Sequence, residues 1–265
     1  MTQILHTQPS QCRQLLGIPH SGTSSPRCQH LDVQRTKTTP QSRAEHLGSL
    51  LRPSRLLNKR HAIQQNKETG ADLAQLEDDS INEIVQVQND CGIHSVSDGE
   101  YRRHMFWGTF FPTLNGMKEI FNPDPKIFRE YVPDIAAFLE DEKVPGESVI
   151  CDGKISHTGQ SSYIGQFEYL KKIVPKERHG EIKMTLAAPN WYHLRYKEGM
   201  AYPKEVYSSD EEYFADIAKA YQTELQILYD AGLRNAQVDD PNLACKSLLS
   251  APQCCGHTHA IPCRC

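Results

Sequence analysis

A chain of 265 residues is long enough for one sizeable domain or two small ones, and 38% hydrophobic with 23% charged residues is ordinary for a soluble globular protein. It contains no uninterrupted apolar run of the roughly 18 residues that a membrane-spanning helix needs. A formal net charge of -4 gives no support to a nucleic-acid or anionic-membrane partner.

Three zones follow one another. Residues 1–42 are rich in Gln, Ser, Thr and Pro and hold four bases (Arg13, Arg27, Arg35, Lys37) against Asp32, so the remaining residues carry -7. The stretch has no apolar core of a secretory signal. Its scattered Arg leave an organelle transit peptide open, but the composition fits a disordered tail better. Residues 43–244 alternate apolar segments in the manner of a folded α/β domain. Residues 245–265 change again, to five Cys, two His and no acid. The nine cysteines are an odd number and badly spread for a disulfide framework. That points to a reducing compartment, and a cytoplasmic location is expected.

A first strand is expected around Arg43 to His46, with Gly48 and Ser49 beyond it; this assignment leans partly on the resemblance given below. Leu73, Leu76, Ile81, Ile84 and Val85 fall near the i, i+3, i+4 spacing of an amphipathic helix. Gly92 follows as a stop, and Ile93 to Ser97 alternates like a strand that ends in Asp98-Gly99-Glu100. Residues 121–154 are Pro- and acid-rich and read as a long insertion, one able to cover a barrel mouth. Ile182 to Leu186 is another strand, closed by Ala187-Ala188-Pro189. Ser209-x-x-Glu212 is a capping box opening a helix whose stripe is Phe214, Ile217, Ala218, Tyr221, Leu225 and Leu228. Gly232 stops it, and Asn235 to Val238 is a short strand ending in Asp239-Asp240-Pro241. Helices alternating with short strands imply a parallel sheet.

Polar residues just past the C-terminal ends of parallel strands sit where ligands bind. Glu100 and Asp239 both follow short strands after glycine-stopped helices, so both carboxylates should face one cleft. Paired there, they either bind an ammonium group or act as acid and base; the bland alternative is that they cap turns. Phe106, Trp107, Phe110 and Phe111, and Trp191 with Tyr192, either stack a flat ring or pack as core. His46 is either a pocket residue or a hydrogen-bonded core histidine, and Gly48 alone could serve a turn that needs positive φ.

Four segments, in order, carry a resemblance. Arg43-Ala44-Glu45-His46-Leu47-Gly48-Ser49-Leu50-Leu51-Arg52-Pro53 resembles the opening motif of single-domain relatives of cobalamin-independent methionine synthase. Val96-Ser97-Asp98-Gly99-Glu100-Tyr101-Arg102-Arg103 resembles that family's second signature. Ile182 to Pro189 is similar to its central strand and Pro turn. Gln237-Val238-Asp239-Asp240-Pro241 is similar to its strand-end signature, with Asp240 where Glu is usual. The resemblance implies an α/β fold of the (β/α) TIM-barrel type and methyl transfer from a methylated folate to the thiol of homocysteine. It also implies a zinc ion that makes the thiolate, with no cobalamin. By motif, Gly48 and Ser49 would hold the amino-acid carboxylate, Glu100 and Asp239 its ammonium group, and His46 would line the pocket.

The pattern is left at about Ala244, before the segment from which the family takes its zinc ligands. The expectation is therefore an incomplete barrel, its front half to two-thirds, over residues 43–244, with the metal ligands not found and methyl-transfer activity impaired. Cys254, Cys255, His257, His259, Cys263 and Cys265 lack zinc-finger spacing. The alternatives are another barrel enzyme (uroporphyrinogen decarboxylase-like, or a transferase acting on a different thiol) and a non-catalytic fragment or binding module.

Overall fold

The computed structural model describes residues 45–129 and 146–241, all of which lie within the unit Ser42–Lys246. The polar tail, Arg43 and Ala44, and the Cys/His-rich stretch from residue 245 fall outside the described residues. In chain order the elements are α1 (Ser54–Gln64), α2 (Leu73–Asp90), β1 (Asn115–Phe121), β2 (Glu147–Ser156), α3 (Ile164–Ile173), β3 (Lys183–Ala187), α4 (Trp191–Arg195), α5 (Asp210–Asp230) and β4 (Asn235–Asp239). Short 3-10 turns lie at Phe111–Thr113, Pro125–Ile127 and Lys176–Glu181. No helix among the described residues is long and apolar enough to cross a membrane.

The two expected helix–glycine units form α2 and α5, and they end in the same way. Gly92 N–H donates to Asn89 O and Ile93 N–H to Gln88 O, both at 3.0 Å. Gly232 N–H donates to Tyr229 O at 3.0 Å and Leu233 N–H to Leu228 O at 2.9 Å. This is the Schellman arrangement, which needs positive φ at the glycine; Gly92 sits at +68° and Gly232 at +108°. At the other end of α5 the Ser209 hydroxyl accepts from Glu212 N–H at 3.4 Å, and the Glu212 carboxylate accepts from Ser208 N–H at 3.1 Å.

The strands differ from expectation. β3 and β4 pair in parallel, Lys183 opposite Asn235 through Ala187 opposite Asp239. On the far side of β3 the expected strand Ile93 to Ser97 shrinks to one parallel bridge, Val96 to Ile182. Its two bonds are Val96 N–H to Glu181 O at 3.0 Å and Lys183 N–H to Val96 O at 2.7 Å. Ser97 gains a side-chain partner instead: the Gln88 carboxamide accepts from its N–H at 3.0 Å and donates to its C=O at 2.9 Å. The expected strand near His46 is absent over the described residues 45–50. The stretch read as an insertion contributes to an antiparallel pair, β1 with β2, from Asn115 opposite Ser156 to Phe121 opposite Glu147. The described strands thus make two small sheets in a mixed α/β fold, and they do not close a barrel.

Side-chain alternation explains which face of the parallel pair is which. Met184 and Leu186 are buried with Val96 among Ile81 and Val85 of α2, Phe167 and Leu170 of α3, and Ile217 and Leu228 of α5. The opposite face carries Lys183 and Thr185, also buried, with Asn235, Gln237 and Asp239 half-buried beside them. β3 is therefore buried on both faces, as parallel strands are, and one of those faces is polar.

The α5 seam is rotated from the expected stripe. Ala218 and Leu225 are exposed, and the buried positions are Tyr213, Ile217, Ala220, Tyr221, Glu224 and Leu228. Glu224 is fully buried because it has donors: its carboxylate is 2.8 Å from His157 Nε2 and accepts from Ser161 Oγ at 2.5 Å. His157 Nδ1 accepts from Gly159 N–H at 2.9 Å, which leaves the Nε2 proton to point at Glu224. This pair ties the residues after β2 to α5.

Gly92 offers a clean test of the helix-stop argument, since a Cβ there would meet nothing within 4 Å. Gly92→Ala should cost about 1–2 kcal/mol from the left-handed backbone alone, read as a lower midpoint in urea at unchanged slope. An Ala variant as stable as the wild type would contradict the Schellman assignment.

Candidate functional site

The site grows from a backbone turn. After Val96 the chain runs Ser97-Asp98-Gly99-Glu100, and both Gly99 and Glu100 take positive φ, +63° and +62°. A non-glycine residue held there costs on the order of 1–2 kcal/mol and persists only where its surroundings fix it. They do. Asp98 Oδ1 accepts from Glu100 N–H at 2.8 Å, and Ser97 Oγ from Gly99 N–H at 3.2 Å. Arg52 Nη2 donates to Glu100 O and to Arg103 O, each at 3.0 Å. Arg60 donates to Tyr101 O and, at 3.1 Å, to Arg103 O. Two guanidinium groups from the first helical region thus hold four carbonyl contacts on one turn.

The turn delivers the Glu100 carboxylate into the interior, where the residue is 1% exposed. It collects donors from separate parts of the chain. Ser49 Oγ donates to Oε2, Thr185 Oγ1 donates to Oε1 at 2.6 Å, and Arg103 Nη1 lies 3.6 Å from Oε1. Arg103 Nη1 also donates to Thr185 Oγ1 at 3.1 Å, and its guanidinium lies 5.1 Å over the Tyr163 ring. Burial pushes the Tyr163 hydroxyl up to about 12.

Asp239 ends β4 on the same polar face. Burial raises its carboxyl above the usual carboxylate range, a hydrogen bond from Gln237 opposes that, and the Glu100 charge adds to it, while Arg103 and Lys183 pull it down. Glu100 and Asp239 therefore act on one another at the same ends of two parallel segments that flank β3.

Residues 45–49 complete the arrangement without strand pairing. Lys183 Nζ, on a side chain only 2% exposed, donates to His46 O at 2.7 Å and to Gln237 Oε1 at 3.0 Å, and lies 3.6 Å from Glu45 Oε2. His46 Nε2 sits 2.9 Å from Ser97 Oγ. Burial, then the Lys183 charge, lower the His46 pKa, with Glu45 opposing, which favours the neutral ring. Gly48 takes φ +63°, which swings the chain toward Ser49. Leu50 N–H donates to Gly99 O at 3.1 Å and fastens this segment to the turn.

All five residues singled out in the sequence thus fall into one network: Ser49 on Glu100, His46 on the adjacent Ser97, Gly48 between them, and Asp239 joined through Gln237 and Lys183. Sequence reasoning missed Thr185, Arg103, Lys183 and Gln237. Three of these were legible as polar residues alternating with Met184, Leu186 and Val238 inside strands. The aromatic residues pack as core: Trp107 and Trp191 stack at 4.8 Å, Phe106 meets Trp191 edge-on at 4.7 Å, and Arg195 lies over both indoles.

Comparison with known proteins gives three relevant likenesses. The chain is 29% identical over 216 residues to the uncharacterized protein YxjH of Bacillus subtilis, covering 80% of this chain and 52% of that protein. It is 32% identical over 209 residues to the uncharacterized YxjG of the same organism, covering 78% and 50%. Among solved structures it matches a candidate vitamin-B12-independent methionine synthase from Listeria monocytogenes, with a TM-score of 0.57 and 28% identity over 76% of this chain and 52% of that one. The structural likeness is to the methionine-synthase type. The chain spans about half the length of each of these proteins. No family model matches it.

The raised Asp239 carboxyl fixes the sign of a stability test. A group raised in the folded state contributes stability that is fully present below its unfolded value and is lost as pH rises through its folded value. Asp239→Asn removes that loss. Its melting temperature should exceed the wild type's at neutral pH, and the two should converge in acid below the unfolded carboxylate range. A wild type at least as stable as the variant at neutral pH would show that Asp239 carries no burial penalty.

Proposed function

We propose that this chain carries the amino-acid-binding part of a cobalamin-independent methionine synthase-type (β/α) barrel, and that its ligand is a homocysteine-like amino-acid thiol. In this reading Glu100 and Asp239 hold the ammonium group, Gly48 and Ser49 hold the carboxylate, and His46 lines the pocket as a neutral ring. The observation that carries the reading is the pair itself. Two carboxylates share one end of parallel strand segments, one held by Ser49 and Thr185 and the other raised first by burial and then by its neighbour's charge. An entering ammonium group would offset the Glu100 contribution, because it supplies a cation and up to three donors beside two carboxylates. Ser49 is exposed above Glu100, so its hydroxyl can turn from the carboxylate toward a ligand. The likeness to the Listeria protein supports the substrate class.

The reaction of that type, methyl transfer from a methylated folate to the homocysteine thiol, belongs to the same proposal, as does the barrel. The zinc ion it implies does not fit the described residues, which contain no group of three or more His, Cys, Asp or Glu able to hold a metal. No chemical step is assigned to these residues through it.

Calorimetric titration of residues 1–265 with homocysteine tests the proposal, with the wild type expected to bind. Asp239→Asn should lose on the order of 1.5–3 kcal/mol for a charge-assisted hydrogen bond, a weakening of about 10- to 150-fold. Equal affinity in the variant, or binding of a thiol without its ammonium group as tightly as homocysteine, would overturn it.

A further inference from the structure

We propose that Gln237 is a positioning residue for Asp239, its carboxamide locked by the buried Lys183 ammonium so that its NH2 must point at the carboxylate. The proposal rests on the amino-acid-binding reading for its functional consequence, but not for its geometry.

Gln237 and Asp239 lie two apart on β4, on the face where side chains are half-buried, while Ala236 and Val238 between and beside them are exposed. Gln237 Oε1 accepts from Lys183 Nζ at 3.0 Å, and Gln237 Nε2 donates to Asp239 Oδ1 at 2.5 Å. The two ends of a carboxamide look alike in outline, but here chemistry admits one orientation. An ammonium group only donates and a carboxylate only accepts, so the oxygen must face Lys183 and the NH2 must face Asp239. A flipped amide would put donor against donor and acceptor against acceptor, costing the buried ammonium one of its acceptors.

Lys183 cannot easily turn away. Its ammonium group is anchored at once to His46 O, and Glu45 Oε2 lies 3.6 Å off. Positive charge buried under the site is thereby relayed to Asp239 through one neutral amide. Oδ1 is the oxygen so engaged, which leaves Oδ2 as the atom that meets an incoming cation. The charged groups acting on Asp239 are Glu100 from the turn after Val96, Arg103 beyond it and Lys183 from β3. Asp240 beside it is occupied by Asn190, whose Nδ2 donates to its Oδ2 at 2.9 Å. Gln237 is the neutral member of the set, and it favours the ionised carboxyl by donating to it. Without that donor the carboxyl would hold its proton to higher pH and present a weaker partner to an ammonium group.

The test is a carbon-13 titration of the Asp239 carboxyl in residues 1–265, for the wild type, Gln237→Met and Gln237→Glu, with homocysteine affinity measured across the same pH range. Gln237→Met keeps the side-chain length and removes both amide contacts. Gln237→Glu keeps an acceptor for Lys183 and removes the donor. Both should move the Asp239 midpoint upward. The Met variant should lose homocysteine affinity on the order of fivefold in the acid part of the range, with the loss shrinking as pH rises and the carboxyl ionises. A merely structural role would lower the melting temperature and leave the midpoint where it was. If Gln237→Met fails to fold, Gln237→Leu, which also lacks both amide contacts and adds no charge, takes its place. An unmoved Asp239 midpoint in the variants that fold overturns the positioning role, even if the wild type binds homocysteine. A shifted midpoint in a wild type and variants that bind no homocysteine at any pH supports the positioning role and overturns the substrate reading instead.

Discussion

A carboxylate taken out of water must find donors nearby or give up its charge, and the described structure is arranged around that requirement at Glu100. Its donors come from Ser49 before α1 and Thr185 in β3, with the Arg103 guanidinium alongside. To bring the side chain there the backbone turns through two positive-φ residues, and holding that turn requires Arg52, Arg60, Asp98 and Ser97. Gln88 of α2 then acts as a substitute strand for Ser97. Much of what is irregular near the site, including the reduction of an expected strand to a single bridge, follows from placing one buried charge.

The same requirement explains the polar face of β3 and β4. A parallel strand buried on both sides is usually apolar throughout. Lys183 and Thr185 break that rule, and each is satisfied by a partner on another segment, Lys183 by Gln237 and His46 and Thr185 by Glu100. Their cost is borne by the opposite face, where Met184, Leu186 and Val96 join helices α2, α3 and α5 in one core. His157 and Glu224 repeat the principle away from the site, joining the end of β2 to α5 through a buried pair.

Helices α2 and α5 were legible in the sequence because two strong local signals agreed, a 3.6-residue apolar period and a glycine where the left-handed stop must fall, whereas α1, α3 and α4 were not expected. The capping box at Ser209 was legible for the same reason. The short strands were legible by type but not in extent, since Ile93 to Ser97 alternates correctly yet Ser97 is claimed by Gln88. The stretch from 121 to 154 hid β2 because its many acids and prolines masked the alternation of Ser148 to Ile155. The α5 stripe was misplaced because Glu224, a carboxylate, was not counted as a core residue, and nothing local announces that His157 will meet it. At the site, Glu100 and Asp239 were visible from their positions at strand ends. Arg103 was not, and Lys183 and Gln237 showed only as polar residues alternating inside strands, because their roles depend on which segments become neighbours in three dimensions.

In the function proposed above, Glu100 and Asp239 act as one receptor for an ammonium group, with Ser49 receiving the carboxylate of the same molecule. A crystal structure of the chain grown with homocysteine tests it most directly. The ligand nitrogen should lie within hydrogen-bonding distance of both carboxylates, its carboxylate against Ser49, and the Ser49 hydroxyl should be turned away from Glu100. A ligand bound elsewhere, or one whose nitrogen meets neither carboxylate while Ser49 still donates to Glu100, would contradict it.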